Sequence, residues 1–136
     1  MNKSSLFTLG AALLTTAVAL AGPRKMAFER GDNIWVANID GTSAKTIAAG
    51  ALPDISPDGA RVAFNNEGDA KNRPGPERHI AIADIGTGKV TVLKDIRSDN
   101  CFGAVWSPDG KQLAFMIMAD KKWQLGLVNA DCSGFR

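Results

Sequence analysis

The chain has a single histidine, two cysteines and no tyrosine, and its 16 lysines and arginines nearly balance its 14 acids. Each shortage removes a kind of chemistry. His79 stands alone, and no serine and acid are spaced to join it in a Ser-His-Asp triad. No G-x-S-x-G nucleophile elbow occurs in the stretch. No Cys/His pair has the spacing of zinc ligands. Asp54-Ile55-Ser56-Pro57-Asp58-Gly59 holds two acids, but it lacks the alternating acids and closing glutamate of a calcium loop. Turn formation explains Asp58 and Asp109 more economically. Gly10, Gly31 and Gly68 have no phosphate-binding context. No enzymatic activity, cofactor or metal is therefore expected. The even charge also leaves no electrostatic footprint for nucleic acid or an anionic membrane.

Long apolar runs are equally scarce, with one exception. Leu6 to Leu20 carries no charge and follows the basic start Met1-Asn2-Lys3. Ala19-Leu20-Ala21 then matches the small-x-small cleavage pattern of a secretory signal peptide. The run is shorter than the roughly 20 residues of a spanning helix, so stable membrane insertion is not expected. Residues 1–21 are read as a signal peptide and 22–136 as the mature, periplasmic or secreted domain. Losing Lys3 lowers the formal charge from +2 to about +1.

What the chain does have is a repeat. Ser56-Pro57-Asp58-Gly59 returns as Ser107-Pro108-Asp109-Gly110, and the two copies lead into Arg61-Val62-Ala63-Phe64 and Gln112-Leu113-Ala114-Phe115. Proline presets the second turn position, aspartate suits the third, and glycine takes the left-handed conformation after it. This is a type I turn with a glycine bulge, closing a hairpin. Ala27-Phe28 is a third version of the strand that follows. Alternating segments come next in each copy, at Ile34 to Ile39, Ile80 to Ile85 and Leu125 to Ala130. Further strands are expected at Ala44 to Ala48 and Lys89 to Leu93, and first strands at Ala51 to Ile55 and Phe102 to Trp106. The uneven spacing of the copies traces to one polar insertion, Asn65 to His79.

Four short antiparallel strands per unit, repeated, make the blades of a β-propeller. The expected fold is all-β, a partial propeller of about two and a half blades, with pieces near 25–49, 50–94 and 100–136. Trp35 and Trp106 are expected to pack between blades, and Trp123, opening a third strand, to pack as well or else to be partly exposed. Cys101 precedes a first strand and Cys132 follows a third strand of the same blade, at opposite ends. A five-residue strand spans about 17 Å, whereas bridged Cα atoms lie within about 7 Å, which argues against an intrachain disulfide.

Trp106-Ser107-Pro108-Asp109-Gly110-Lys111-Gln112-Leu113-Ala114-Phe115 resembles the W-S-P-D-G-K-x-[IL]-A-F core of TolB-type propeller repeats. Ile55 to Phe64 is a looser copy with Ile in place of Trp, and Ile34 to Gly41 resembles the family's I-[YW]-V-x-[ND]-x-D-G strand and turn. The resemblance implies a periplasmic protein that binds partner proteins. Similar blades cap prolyl-oligopeptidase-type peptidases, so an N-terminal propeller fragment of a larger enzyme lacking its catalytic domain is the alternative. TolB carries an α/β domain before its blades, and here blades follow the leader directly.

Closed propellers have four to eight blades, so ten strands leave the ring open. A truncated or fragmentary reading frame is the expectation, because the chain stops at Phe135-Arg136 where a fourth strand begins. Self-association through exposed blade edges and an open partial propeller are the other outcomes. The insertion is the best candidate for a specific contact, with a protein partner or a small acidic ligand, through Lys71, Arg73, Glu77, Arg78 and His79, stiffened by Pro74 and Pro76 and lying beside Ser98 to Phe102. The plainer alternative is a solvated loop with no partner.

Overall fold

The computed structural model describes residues 24–67, 77–93, 96, 98 and 100–136. The expected leader and the middle of the insertion lie outside them. Among the described residues, ten strands form three antiparallel sheets. The first sheet contains β1 (Lys25–Arg30), β2 (Asn33–Asn38) and β3 (Lys45–Ala49), in that order. The middle sheet runs β4 (Ala51–Ile55), β5 (Arg61–Glu67), β6 (Arg78–Asp84) and β7 (Val90–Val92). The third runs β8 (Cys101–Trp106), β9 (Gln112–Ala119) and β10 (Lys122–Asn129). Each sheet is a simple up-and-down meander, the strand arrangement of a propeller blade. The chain is a partial β-propeller, as its repeats predict.

Both Ser-Pro-Asp-Gly turns have the same bonds. Gly59 N–H donates to the Ser56 carbonyl at 2.8 Å and Gly110 N–H to the Ser107 carbonyl at 2.9 Å. Both glycines take φ of 68°. The serine does more than sequence reasoning assigned to it. Ser56 Oγ donates to Asp58 and accepts the Arg61 N–H at 2.9 Å. Ser107 Oγ donates to Asp109 at 2.6 Å and accepts the Gln112 N–H at 2.9 Å. Each aspartate also accepts an N–H two residues on, from Ala60 and from Lys111, both at 3.0 Å. The strand-to-strand register is thereby set by a closed ring of side-chain and backbone bonds.

Period-two alternation then sorts side chains between sheets. In the middle sheet Val62, Phe64, Ala81 and Ala83 face the first sheet and meet Ile34 and Val36. Ala63, Ile80 and Ile82 face the third sheet and meet Ala104, Trp106, Leu113, Phe115, Ile117 and Val128. Burial on both faces is why Ile80 to Ile85 reads as a nearly continuous apolar run. Each fully buried Ile or Phe in these layers contributes roughly 1.5–3 kcal/mol.

Polar clasps fasten one sheet to the next. Asn65 is only 1% exposed. Its amide donates to the Cys101 carbonyl and accepts the Gly103 N–H, both at 3.0 Å. Glu29 holds the matching place on β1 and accepts the Leu52 N–H at 3.1 Å. Leu52 and Gly103 both have positive φ, 51° and 68°, at bulges in the first strands of their sheets. The kink turns the N–H out of the ladder and toward the preceding sheet. Arg61 adds bonds to the carbonyls of Ala130 at 3.1 Å and Gly110 at 3.3 Å, and its guanidinium lies 4.5 Å from the Trp106 ring centre. Trp106 donates its N–H to the Asp54 carboxylate at 2.7 Å and its indole N–H to the Asp54 carbonyl at 3.1 Å.

Two expectations need correction. The insertion is shorter than Asn65 to His79, because β5 continues to Glu67 and β6 begins at Arg78, with Asn66 paired to His79. Polar residues extend these strands because pairing needs only the backbone, and Asn65 gains buried partners there. Trp123 is 44% exposed rather than packed between sheets. It lies on the face of the third sheet turned away from the middle sheet.

Candidate functional site

Arg78 opens β6 and forms an isolated parallel bridge with Asn100. That contact brings the end of the insertion alongside the segment leading into β8, the neighbour expected from blade topology. Ser98 fixes the segment to β9, donating to the Met118 carbonyl at 2.8 Å and accepting the Asn100 N–H at 3.1 Å. Met118 N–H completes the tie to the Asn100 carbonyl at 3.0 Å. With its backbone held, Arg78 sets its guanidinium 5.9 Å from the Phe102 ring centre. Phe102 meets Trp123 edge to face, with centres 5.0 Å apart and planes at 84°.

The result is a row of cation, ring and half-exposed ring along one edge. Strand register produces it: Phe102 pairs with Met116 and Trp123 with Met118, so both rings share one face of β9. Of the residues nominated from sequence, Arg78 belongs to this row. His79 is half-buried on β6, so it and Arg78 are strand residues rather than loop residues. Glu77 is half-buried just before the strand, and Lys71 and Arg73 lie outside the described residues. The row's aromatic half was not nominated. The segment Ser98 to Phe102 was expected beside the insertion, but the pairing of Phe102 with Trp123 needs the β9 register to be known.

Among the described residues, no group of three or more His, Cys, Asp or Glu side chains is arranged to hold a metal. Cys101 is buried, and Cys132 is a half-buried thiol. Burial, and then the charge of Asp131, push the Cys132 thiol up from its ordinary 9.0, against a smaller pull from Arg61. It is therefore a protonated thiol of low reactivity at neutral pH. Among the described residues, Asp40, Asp58, Asp84, Asp109 and Asp131 are held below the ordinary 3.8 by turn hydrogen bonds. For Asp58 the Ser56 hydroxyl is the main cause, followed by the Ala60 N–H. These carboxylates complete turns. What the edge can do is bind: arginine and tryptophan, one charged and one apolar, are the side chains that most often anchor protein contacts.

No family model matches the chain. Over 94 residues it is 34% identical to Tricorn protease homolog 1 of Streptomyces coelicolor, a match covering 65% of this chain and 8% of that protein. TolB from Acinetobacter baumannii superposes on 76% of this chain and 25% of its own, with a TM-score of 0.61 and 20% identity. The β-propeller domain of the Trilobed protease from Pyrococcus furiosus, described as having an open velcro topology, superposes on 76% of this chain and 33% of its own, with a TM-score of 0.61 and 21% identity. The chain thus spans a small part of each protein it resembles. Three meandering sheets, twin Ser-Pro-Asp-Gly corners and these superpositions together establish the fold, a partial β-propeller.

Proposed function

We propose that the chain is an exported, non-catalytic propeller segment that serves as a protein-interaction scaffold. The observation that carries this is the Arg78–Phe102–Trp123 row, in which a positioned cation and a half-exposed indole are held by a rigid sheet. The Arg78 cation biases this edge toward an acidic partner surface, and Glu77 and His79 flank it in sequence. Export follows from the leader, and the likeness to TolB, in fold alone, accords with a scaffold role. The test is capture of partners from a periplasmic extract by the full chain, compared with Arg78→Ala and Trp123→Ala. Both variants keep the fold because neither side chain is in the buried core. Loss of the captured band in both supports the edge, and unchanged capture removes it as the contact.

A second reading is favoured by one observation, the protease names attached to two of the matches. In it the segment is the propeller part of a larger peptidase. An adjoining coding sequence with a G-x-S-x-G elbow supports that reading, whereas further Ser-Pro-Asp-Gly repeats support the scaffold.

A further inference from the structure

The two junctions between sheets repeat one arrangement at their Ser-Pro-Asp-Gly ends. Lys25 opens β1 and pairs with Asn38, as Arg61 opens β5 and pairs with Asp84. Lys25 Nζ donates to the Gly59 carbonyl at 3.5 Å, where Arg61 donates to the Gly110 carbonyl at 3.3 Å. Lys45 Nζ donates to the Ile85 carbonyl at 2.8 Å, where Arg61 donates to the Ala130 carbonyl at 3.1 Å. Two lysines at the first junction thus make the bonds that one arginine makes at the second. A crevice lies beside each set.

The two crevices differ in charge. The second, of about 160 Å³, is lined by Arg61 and Lys89 but also by Asp84 and Asp131, so its cations and acids balance. The first, of about 320 Å³, is lined by Lys25, Lys45 and Ser43 and, among the described residues, by no acid. Asp84 stands beside Gly86 at its margin, but its Oδ1 already accepts the Thr87 N–H at 2.7 Å and hydroxyl at 2.8 Å. Neither lysine forms an ion pair among the described residues. An ammonium has three donors, and each lysine spends one on a carbonyl, so both line the crevice with donors to spare. Val36, Ala37 and Ile85 give it an apolar floor. Its volume falls at the lower end of the range for small-molecule sites.

We propose that this crevice binds a small carboxylate carrying a short apolar group, either a free acid or the last residue of a peptide. The carboxylate sits between the Lys25 and Lys45 ammoniums, and the apolar group covers the floor. A bare inorganic anion lacks the second contact, and a neutral amide lacks the first. The site is independent of the Arg78 edge, because Arg78 and Asp84 stand at opposite ends of β6.

The test titrates the full chain with N-acetyl-leucine and with isovalerate, each to about 10 mM, and follows the backbone amide resonances by NMR. Saturable shifts at Ser43 and Gly86 are expected, with a dissociation constant of about 1 mM or below for the better ligand. Isovalerate binding at least as tightly as N-acetyl-leucine supports the proposal with a free acid as ligand. Tighter binding of N-acetyl-leucine supports it with a peptide end. N-acetyl-leucine amide and inorganic phosphate should leave both resonances in place. Lys25→Gln and Lys45→Gln, at exposed positions, should each weaken binding about threefold to tenfold, and Lys25→Arg should retain it. Lys89→Gln, in the charge-balanced crevice, should change nothing. The proposal is overturned by any of four results: no saturation with either acid, equal binding of the amide or of phosphate, undiminished affinity in both glutamine variants, or shifts centred on Asp131 or Arg78.

Discussion

Replacing Asn65 by alanine tests the claim that the sheets are clasped through one side chain. The amide has two partners across the junction, the Cys101 carbonyl and the Gly103 N–H, each at 3.0 Å. Alanine removes both bonds, so the Cys101 carbonyl and the partly buried Gly103 N–H each lose the Asn65 amide. An orphaned buried group costs about 1–3 kcal/mol and a partly solvated one nearer to 1, so the expected loss is about 2–4 kcal/mol. Against the roughly 5–15 kcal/mol of a typical domain, that is a large share. Urea unfolding followed by tryptophan fluorescence and circular dichroism measures it, with an unchanged m-value showing that the folded surface is intact. Glu29→Ala is the comparison. It removes one exposed bond at the equivalent place, and its cost should stay below about 1 kcal/mol. If Asn65→Ala falls within about 0.5 kcal/mol of the parent, or matches Glu29→Ala, the clasp is not what joins these sheets.

Gly50→Ala should be poorly tolerated: at φ of 151° its new methyl group would meet the Asn65 carbonyl oxygen and the Phe64 ring, and backbone cannot step aside. A loss of about 2 kcal/mol or more in the same unfolding assay is expected, and a neutral result would contradict the packing described at this junction. Arg61→Met keeps the aliphatic stem but drops the bonds to Ala130 and Gly110. It should cost about 1–3 kcal/mol and weaken the near-ultraviolet dichroism of Trp106, and an unaltered spectrum would exclude the stacking. The aspartate shifts fix the direction of a pH effect. Folded pKa values held below 3.8 mean that the unfolded chain takes up protons first on acidification. The stabilisation is complete above the unfolded value of about 3.9 and is lost as pH falls through the folded values. Asp58→Asn with Asp109→Asn should therefore flatten the melting temperature against pH below about pH 4, and an unchanged slope would refute the assignment.

The fold was legible because its punctuation is local. Ser-Pro-Asp-Gly sets its turn within four residues, and Ala-Phe after it marks the strand whose two sides face different sheets. Strand order then follows from short connections. The candidate edge was only half legible. A polar, proline-bearing insertion pointed to Arg78, since such segments lie at the surface. Phe102 and Trp123 come together through pairing with Met116 and Met118, and the distance along the chain conceals that. Asn65 misled for a physical reason: asparagine reads as loop from its turn preference, but a buried amide with two partners sits well inside a strand. Arg61 reads as a solvated strand residue, and its role depends on carbonyls supplied by a different sheet.

The clasp has a bearing on how such a molecule can be lengthened. A stretch such as 51–100 carries the kinked N–H at Leu52 that looks backward and the Asn65 amide that looks forward. Duplicated in tandem, each copy would dock to the one before and present a socket to the one after, with no new contact to invent. A cut made at the Ser-Pro-Asp-Gly corner instead would part the N–H from the amide and leave two unmatched halves. Growth by whole units is thus written into the position of one kink, and recombinants spliced at 50/51 should fold where those spliced at 58/59 should not.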